Sequence, residues 1–273
     1  MTLEERARNL RRHALRMAER TGQGYVGQAL GIADLLAALY FRELKLEGPD
    51  RDRFVLSIGH YSIALYAALA EAGVLPLDEL DTYGVDGSRL PMSGDDRCPG
   101  FEMTGGSLGQ GLSQAVGMAL GLRLDARPSR VFALISDGEL QEGSIWEAAM
   151  AAAHYRLDRL FCFVDCNQQQ ADGPPSRVMG IEPVPDKWAA FGWDARRVDG
   201  NRLDDLLAAI EGAKAVAGRP HAIILDTQMG RGVPLFEARE KNHFIRVEPH
   251  EWQLAREQLE ADEADCPLRQ GGA

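Results

Sequence analysis

The chain has 273 residues, 45% of them hydrophobic, enough for one large buried core. Its formal charge of −11, from 41 acidic against 30 basic side chains, repels polyanions, so nucleic acid is not an expected partner. No apolar run reaches the ~18 residues of a membrane span, and Cys98, Cys162, Cys166 and Cys266 form no CxxC pair or zinc spacing, so a reduced, cytoplasmic protein without membrane attachment is expected.

The N-terminal segment MTLEERARNLRRHALRMAER places Leu3, Ala7, Leu10, Ala14 and Met17 on one face of an amphipathic helix, which argues against a signal peptide. GIADLLAALYFREL also has helical spacing, and DRFVLSIGH reads as a short strand running into a turn at Gly59 and His60. SIALYAALAEAG is helical, with Gly73 as its stop. The stretch from Thr82 to Gly105 is rich in Gly, Pro, Asp and Ser and reads as a working loop or lid.

Beyond it the pattern is regular. A helix is expected across SLGQGLSQAVGMALGLRL, a buried strand at VFALIS, a helix over SIWEAAMAAAHYRL, and a second apolar strand at LFCFVDC. That order predicts a parallel βαβ unit. A third round follows, with a helix at PDKWAAFG, a strand at WDARRV, a helix at NRLDDLLAAIEGAKAVAG and a strand at HAIILDT. The fold class is therefore α/β, a mostly parallel sheet with helices on both faces. Residues 1–262 read as one domain and 263–273 as a disordered tail.

If VFALIS and LFCFVDC are neighbours, Asp137 and Asn167 lie just past the carboxyl ends of adjacent strands, where open α/β sheets bind ligands. An Asp carboxylate, an Asn amide oxygen and a backbone carbonyl, assigned to Gln169, form a hard oxygen set suited to Mg²⁺ or Ca²⁺ shared with phosphate oxygens. Gly138 lets the backbone approach a diphosphate closely. Either residue alone reads as a helix cap or a turn former. The glycines of GQGLSQ lack the third Gly of a dinucleotide fingerprint, and no strand runs directly into them.

Taken together, SDGELQEGSIWEAAMAAAHYRLDRLFCFVDCNQQQADG resembles the thiamine diphosphate motif of the transketolase family, with Ser136 in place of the first Gly of a GDG-type turn. The resemblance covers roughly residues 10 to 260. It implies a thiamine diphosphate-binding fold with a metal held by Asp137, Asn167 and Gln169. Cofactor neighbours implied are Gly138, Glu139 and Asn167, with Gly106 and Leu108 from TGGSLGQGLSQAVGMALG. His60, from RDRFVLSIGHYSIALYAAL, and His243, from GRGVPLFEAREKNHF, are implied near the diphosphate; Asn242 replaces the family's Trp before the second of these. Glu142 aligns with a Glu that touches the cofactor-activating Glu across a subunit boundary.

The activating Glu belongs to a pyrimidine-binding domain for which this sequence has no counterpart. The resemblance therefore implies, as partner, a C-terminal transketolase subunit, in an α2β2 heterotetramer. The implied reaction transfers a two-carbon ketol unit from a ketose phosphate to an aldose phosphate. Two departures touch the substrate: Tyr25 and Met92 stand where split transketolases usually carry His. Tyr25, the expected catalytic residue with Glu142, donates a hydrogen bond but cannot act as an imidazolium at neutral pH. A non-standard donor is expected, either a branched pentulose phosphate, as in the similar apulose-phosphate transketolases, or a sulfonated or deoxy sugar. Alternatives are a 2-oxo acid dehydrogenase-type or deoxyxylulose phosphate synthase-type subunit, or a non-catalytic regulatory subunit. Arg89, Arg97 and Lys241 are local candidates for sugar-phosphate contacts, against a bland reading as surface charge.

Overall fold

The computed structural model describes residues 1–261, so the tail expected at 263–273 lies outside the described residues. Helix α1 (Leu3–Thr21) opens on a capping box between Thr2 and Glu5 and stops at Gly22, whose φ of 68° suits glycine. Ala7, Leu10, Ala14 and Met17 are buried as expected, Leu3 stays half-buried, and Arg11 joins the stripe. Arg11 is tolerated there because its guanidinium donates to the Leu30 carbonyl at 3.0 Å and to Asp34 at 2.5 Å.

Strand β1 (Gln23–Gly24) and helix α2 (Val26–Gly31) follow, and the helix expected over GIADLLAALYFREL is observed as α3 (Ala33–Ala38) running into a π turn at Leu39–Glu43. Both glycines of α2 sit against loops. A Cβ on Gly27 would lie 2.8 Å from the Asn242 carbonyl oxygen, and one on Gly31 3.0 Å from that of Gln228.

The remaining elements run β2 (Arg53–Leu56), α4 (Ser62–Glu71), α5 (Gln110–Leu124), β3 (Val131–Ser136), α6 (Gly143–His154), β4 (Leu160–Cys166), α7 (Pro175–Val178), α8 (Val184–Ala190), β5 (Asp194–Asp199), α9 (Leu203–Lys214), β6 (His221–Asp226), α10 (Pro234–Glu237), β7 (Ile245–Arg246) and α11 (Pro249–Ala261). Helix α5 starts later than expected because Gly109 turns through the left-handed region at φ 85°. Helix α11 and the β1–β7 antiparallel ladder are additions to the expected elements.

Five strands form one parallel sheet in the order β2-β3-β4-β6-β5. Strands β3 and β4 are buried along their whole length, which is why both read as near-continuous apolar runs, interrupted in β4 by Asp165. Their residues still divide by face. Phe132, Leu134, Phe161 and Phe163 pack with α1, α3 and α4, whereas Val131, Ala133, Ile135, Cys162 and Val164 pack with α5, α6 and α8. Helices thus cover both faces. Among the described residues no helix is long and apolar enough to cross a membrane.

Candidate functional site at the carboxyl edge of the sheet

In the β3–β4 ladder Ser136 pairs with Asp165, which sets Asp137 and Asn167 side by side at the strand tips. The Asp137 N–H donates to the Asp165 carbonyl at 2.9 Å, and the Gln168 N–H donates to Asp137 Oδ2 at 3.1 Å. Gln168 reverses the chain with φ 63°, and the Gln169 N–H donates to Asn167 Oδ1 at 3.0 Å. No hydrogen bond among the described residues engages the Gln169 carbonyl.

Beneath these tips lies Asp165, which sequence reasoning missed. Its signal was a carboxylate inside an otherwise apolar strand. It accepts from the Tyr61 hydroxyl and from Asn167 Nδ2, both at 2.7 Å, and from the Thr227 hydroxyl. Asp137 and Asp165 are each 1% exposed, and neither pairs with a Lys or Arg among the described residues. Burial, then repulsion from Asp165, pushes Asp137 up to about 7; burial raises Asp165 as well.

Two buried carboxylates without a cation are costly unless a proton or a metal joins them. The described residues hold no cluster of three or more His, Cys, Asp or Glu side chains for a metal. The set here is of another kind: one carboxylate at the surface of the pair, an amide oxygen and a carbonyl, which fits a hard divalent cation that keeps ligand positions for phosphate oxygens.

The turn Gly59–Tyr61 joins this acidic side to an aromatic one, because Tyr61 reaches inward to Asp165 while its neighbour His60 stands beside Tyr25 and His243. Glycine is needed at its start, where a Cβ on Gly59 would lie 2.5 Å from the backbone of Gly105 and Gly106. The His60 ring centre is 4.6 Å from Tyr25 and 5.1 Å from His243; Phe244 lies 5.0 Å from Tyr25. Gln28 Nε2 donates to the His243 carbonyl at 2.6 Å and meets its Nδ1 at 3.2 Å, while Gln28 Oε1 stays buried without a partner among the described residues. Burial, then His243, depresses His60 to about 3, and burial depresses His243. Both imidazoles are thus neutral near pH 7, each with one donor and one acceptor nitrogen.

Asn242, where a Trp was the family's usual residue, is buried and structural. Its Nδ2 donates to the Phe236 carbonyl at 2.8 Å, and its N–H donates to Gln169 Oε1 at 2.9 Å, tying the His243 loop to the loop after Asn167. Gly106, at φ 125°, and Leu108, 36% exposed, lie on the open loop before α5. Glu142 is exposed at the start of α6 and packs on that loop, since a Cβ on Gly109 would lie 2.7 Å from its Cβ.

Glu139 departs from the expectation of a cofactor neighbour. It is fully enclosed, with Oε1 accepting from the Ser57 hydroxyl and, at 2.7 Å, from the Gly109 N–H, and Oε2 accepting from the Ser136 N–H at 3.1 Å. It therefore pins three chain segments together behind the site. Arg89 and Arg97 are paired with Glu79 and Asp95 at the surface, and Lys241 is exposed, so none of the three stands out as a phosphate ligand. Tyr83, also missed, holds a buried hydroxyl without a partner among the described residues, and a Cβ on Gly24 would lie 3.9 Å from it.

The family model described as transketolase, thiamine diphosphate binding domain, matches residues 3–268. The chain belongs to the transketolase family. It is 57% identical to an uncharacterized transketolase family protein of Sinorhizobium fredii, over 92% of this chain and 93% of that one. It is 43% identical to the 6-deoxy-6-sulfo-D-fructose transketolase subunit SqwG of a Clostridium species, over 96% and 98%. It is 36% identical to an apulose-4-phosphate transketolase subunit of Phocaeicola vulgatus, over 89% and 88%. The fold superposes on transketolase from Leishmania mexicana with a TM-score of 0.88 at 30% identity, covering 95% of this chain but 41% of that one. The family match selects the transketolase type of thiamine diphosphate domain over the dehydrogenase and synthase alternatives.

Proposed function

We propose that this chain is the cofactor-diphosphate subunit of a two-chain transketolase that moves a two-carbon ketol unit from a non-standard ketose donor to an aldose phosphate. The observation that carries the site is the pair of buried carboxylates, Asp137 and Asp165, with no Lys or Arg beside them among the described residues. Asp137, Asn167 Oδ1 and the Gln169 carbonyl would hold Mg²⁺, or Ca²⁺, and Asp165 with Tyr61 fixes the Asn167 amide so that its oxygen is presented. The N–H groups of neutral His60 and His243 and the backbone at Gly138 would hold the diphosphate; Gly106 and Leu108 would flank the rings. When bound, thiamine diphosphate supplies the carbon nucleophile that carries the two-carbon unit.

The chain spans less than half of a solved transketolase, and two of its relatives of similar length are named as subunits. A second chain bearing the pyrimidine-binding domain and the activating Glu completes the site in this reading, in an α2β2 assembly. Glu142, exposed at a helix start, offers its carboxylate to that chain. The described cysteines are free thiols, in keeping with the cytoplasm.

The donor reading rests on Tyr25 and Met92. Tyr25 stands among His60, His243 and Phe244, where it offers a phenol in place of an imidazole. Met92 packs its thioether on Gly84, where a Cβ would lie 3.1 Å from Cε, and offers no comparable hydrogen bond. A pocket so altered suits a sulfonated deoxy ketose or a branched pentulose phosphate.

The test is to co-express the chain with a pyrimidine-domain partner and follow three donors by mass spectrometry: xylulose 5-phosphate, 6-deoxy-6-sulfofructose and apulose 4-phosphate, each with an aldose phosphate acceptor. Preferred turnover of either non-standard donor is expected. Fastest turnover of xylulose 5-phosphate would refute the donor assignment, and no turnover with any of them would refute the transferase reading.

A further inference from the structure

A separate cavity of about 240 Å³ lies at the amino ends of β3 and β4, opposite the edge that bears Asp137 and Asn167. Leu122 and Arg123 line it from the end of α5, Arg127 and Ser129 from the segment leading into β3, and Leu157 and Arg159 from the segment leading into β4. Three exposed arginines, Arg123, Arg127 and Arg159, line this one small cavity in a chain whose net charge is −11.

These arginines are oriented mainly by carbonyls. Arg123 donates to the Tyr155 carbonyl and Arg159 to the Pro128 carbonyl, each through one Nη, and neither meets a carboxylate among the described residues. Arg127 donates to the Pro49 carbonyl at 2.9 Å and pairs with Asp50 at 3.3 Å. The wall's single carboxylate, Asp158, accepts from the Gly218 N–H at 2.9 Å. A carbonyl holds a guanidinium in place without neutralising it, so its positive field stays directed at whatever enters. Independently, Ser129 is 3% exposed and its hydroxyl oxygen is buried with no hydrogen-bond partner among the described residues. Such a hydroxyl costs about 1–3 kcal/mol unless a ligand or water meets it.

We propose that this cavity binds a small phosphomonoester, with its phosphate between Arg123, Arg159 and the Ser129 hydroxyl and its organic part against Leu122 and Leu157. The volume falls below the roughly 300 Å³ at which sites for drug-sized ligands begin, so the ligand is compact. Two elements connect the cavity to the cofactor edge. Helix α5 runs to Gly109 and Gly111, which Glu139 and Ser57 hold at 2.7 and 3.1 Å, and β4 runs to Asn167. The inference stands on this cavity alone and does not depend on the transketolase reading.

Phenyl phosphate is the probe, titrated calorimetrically into the full chain at fixed ionic strength, with phenol as the uncharged control. Phenylglyoxal labelling of arginines, mapped by mass spectrometry, locates the site in the wild-type chain without any substitution. The expected result is saturable binding of phenyl phosphate but not phenol, weakened about tenfold or more by the Arg123→Gln/Arg159→Gln pair. Labelling of Arg123 and Arg159 should slow with phenyl phosphate present, while that of the surface residue Arg256 should not. Unchanged labelling of Arg123 and Arg159 at saturating phenyl phosphate, or equal affinity in the folded double variant, would overturn the proposal. If the double variant does not fold, the labelling result decides alone.

Discussion

Two pairs of carboxylates, at opposite ends of the same parallel sheet, are buried to a similar depth and treated in opposite ways. Near the amino end, Glu43 and Asp52 are 6% and 8% exposed, and cations meet both: Lys214 at 2.5 Å and Arg130 at 3.5 Å on Glu43, Arg130 at 2.8 Å on Asp52. At the carboxyl end, Asp137 and Asp165 are each 1% exposed and have only neutral donors around them. Burial does not tell the two pairs apart; pairing does. A buried carboxylate matched by a protein cation serves the fold, and one left unmatched marks where a cation from outside belongs.

The comparison breaks most sharply if substitutions at the two ends act alike. Asp52→Asn should destabilise the chain by about 1–3 kcal/mol, because it takes from the part-buried Arg130 the nearer of its two carboxylates and leaves only Glu43. Asp137→Asn should instead stabilise the cation-free chain at pH 8, because it removes a buried charge. Denaturant unfolding in EDTA measures both, and destabilisation of similar size in the two variants would erase the distinction. The same Asp137→Asn change should lower Mg²⁺-dependent thiamine diphosphate affinity on the order of 100-fold, judged against the 10–100-fold that outer-shell changes alone cost.

The pH profile of cation-free stability sharpens it further. Asp137 is raised from 3.8 to about 7, so its stabilising proton is fully in place below pH 3.8 and its contribution is lost as pH rises toward 7. His60 is depressed from 6.5 to about 3, so its contribution is present above pH 6.5 and lost as pH falls toward 3. Asp137→Asn should flatten the alkaline-side loss and His60→Asn the acid-side loss, read from urea midpoints across pH. Profiles unchanged by both substitutions would show that the two groups do not titrate as their burial requires.

The smallest effect expected is that of Tyr61→Phe, about 1–2 kcal/mol of stability from a hydroxyl that bridges Asp165 and Asn167. Cofactor affinity should fall alongside, since the Asn167 amide loses one of its two holders. A stable variant with unchanged cofactor affinity would remove Tyr61 from the site's support.

Much of this was legible in the sequence for physical reasons. Strands β3, β4 and β6 are buried on both faces, so they announce themselves as near-continuous apolar runs, and the parallel pairing of β3 and β4 alone brings Asp137 and Asn167 together. What stayed hidden depends on contacts between distant segments. The enclosure of Glu139 requires Ser57 and Gly109 to arrive from two other elements, and nothing in DGELQEG distinguishes it from the exposed Glu142. The division of α2 and α3 follows glycines that meet the loops at Gln228 and Asn242, again a tertiary matter. Helix α11 begins on Pro249, a weak start signal beside the capping box that marks α1.

The most direct measurement is a calorimetric titration of thiamine diphosphate into the reconstituted pair, in Mg²⁺ and in EDTA, for the wild type and Asp137→Asn. Expected is tight uptake by the wild type in Mg²⁺, and weak or absent uptake in EDTA and in the variant under either condition. Equal affinity in all four titrations would mean that the carboxylates at the strand tips hold no cation for the cofactor.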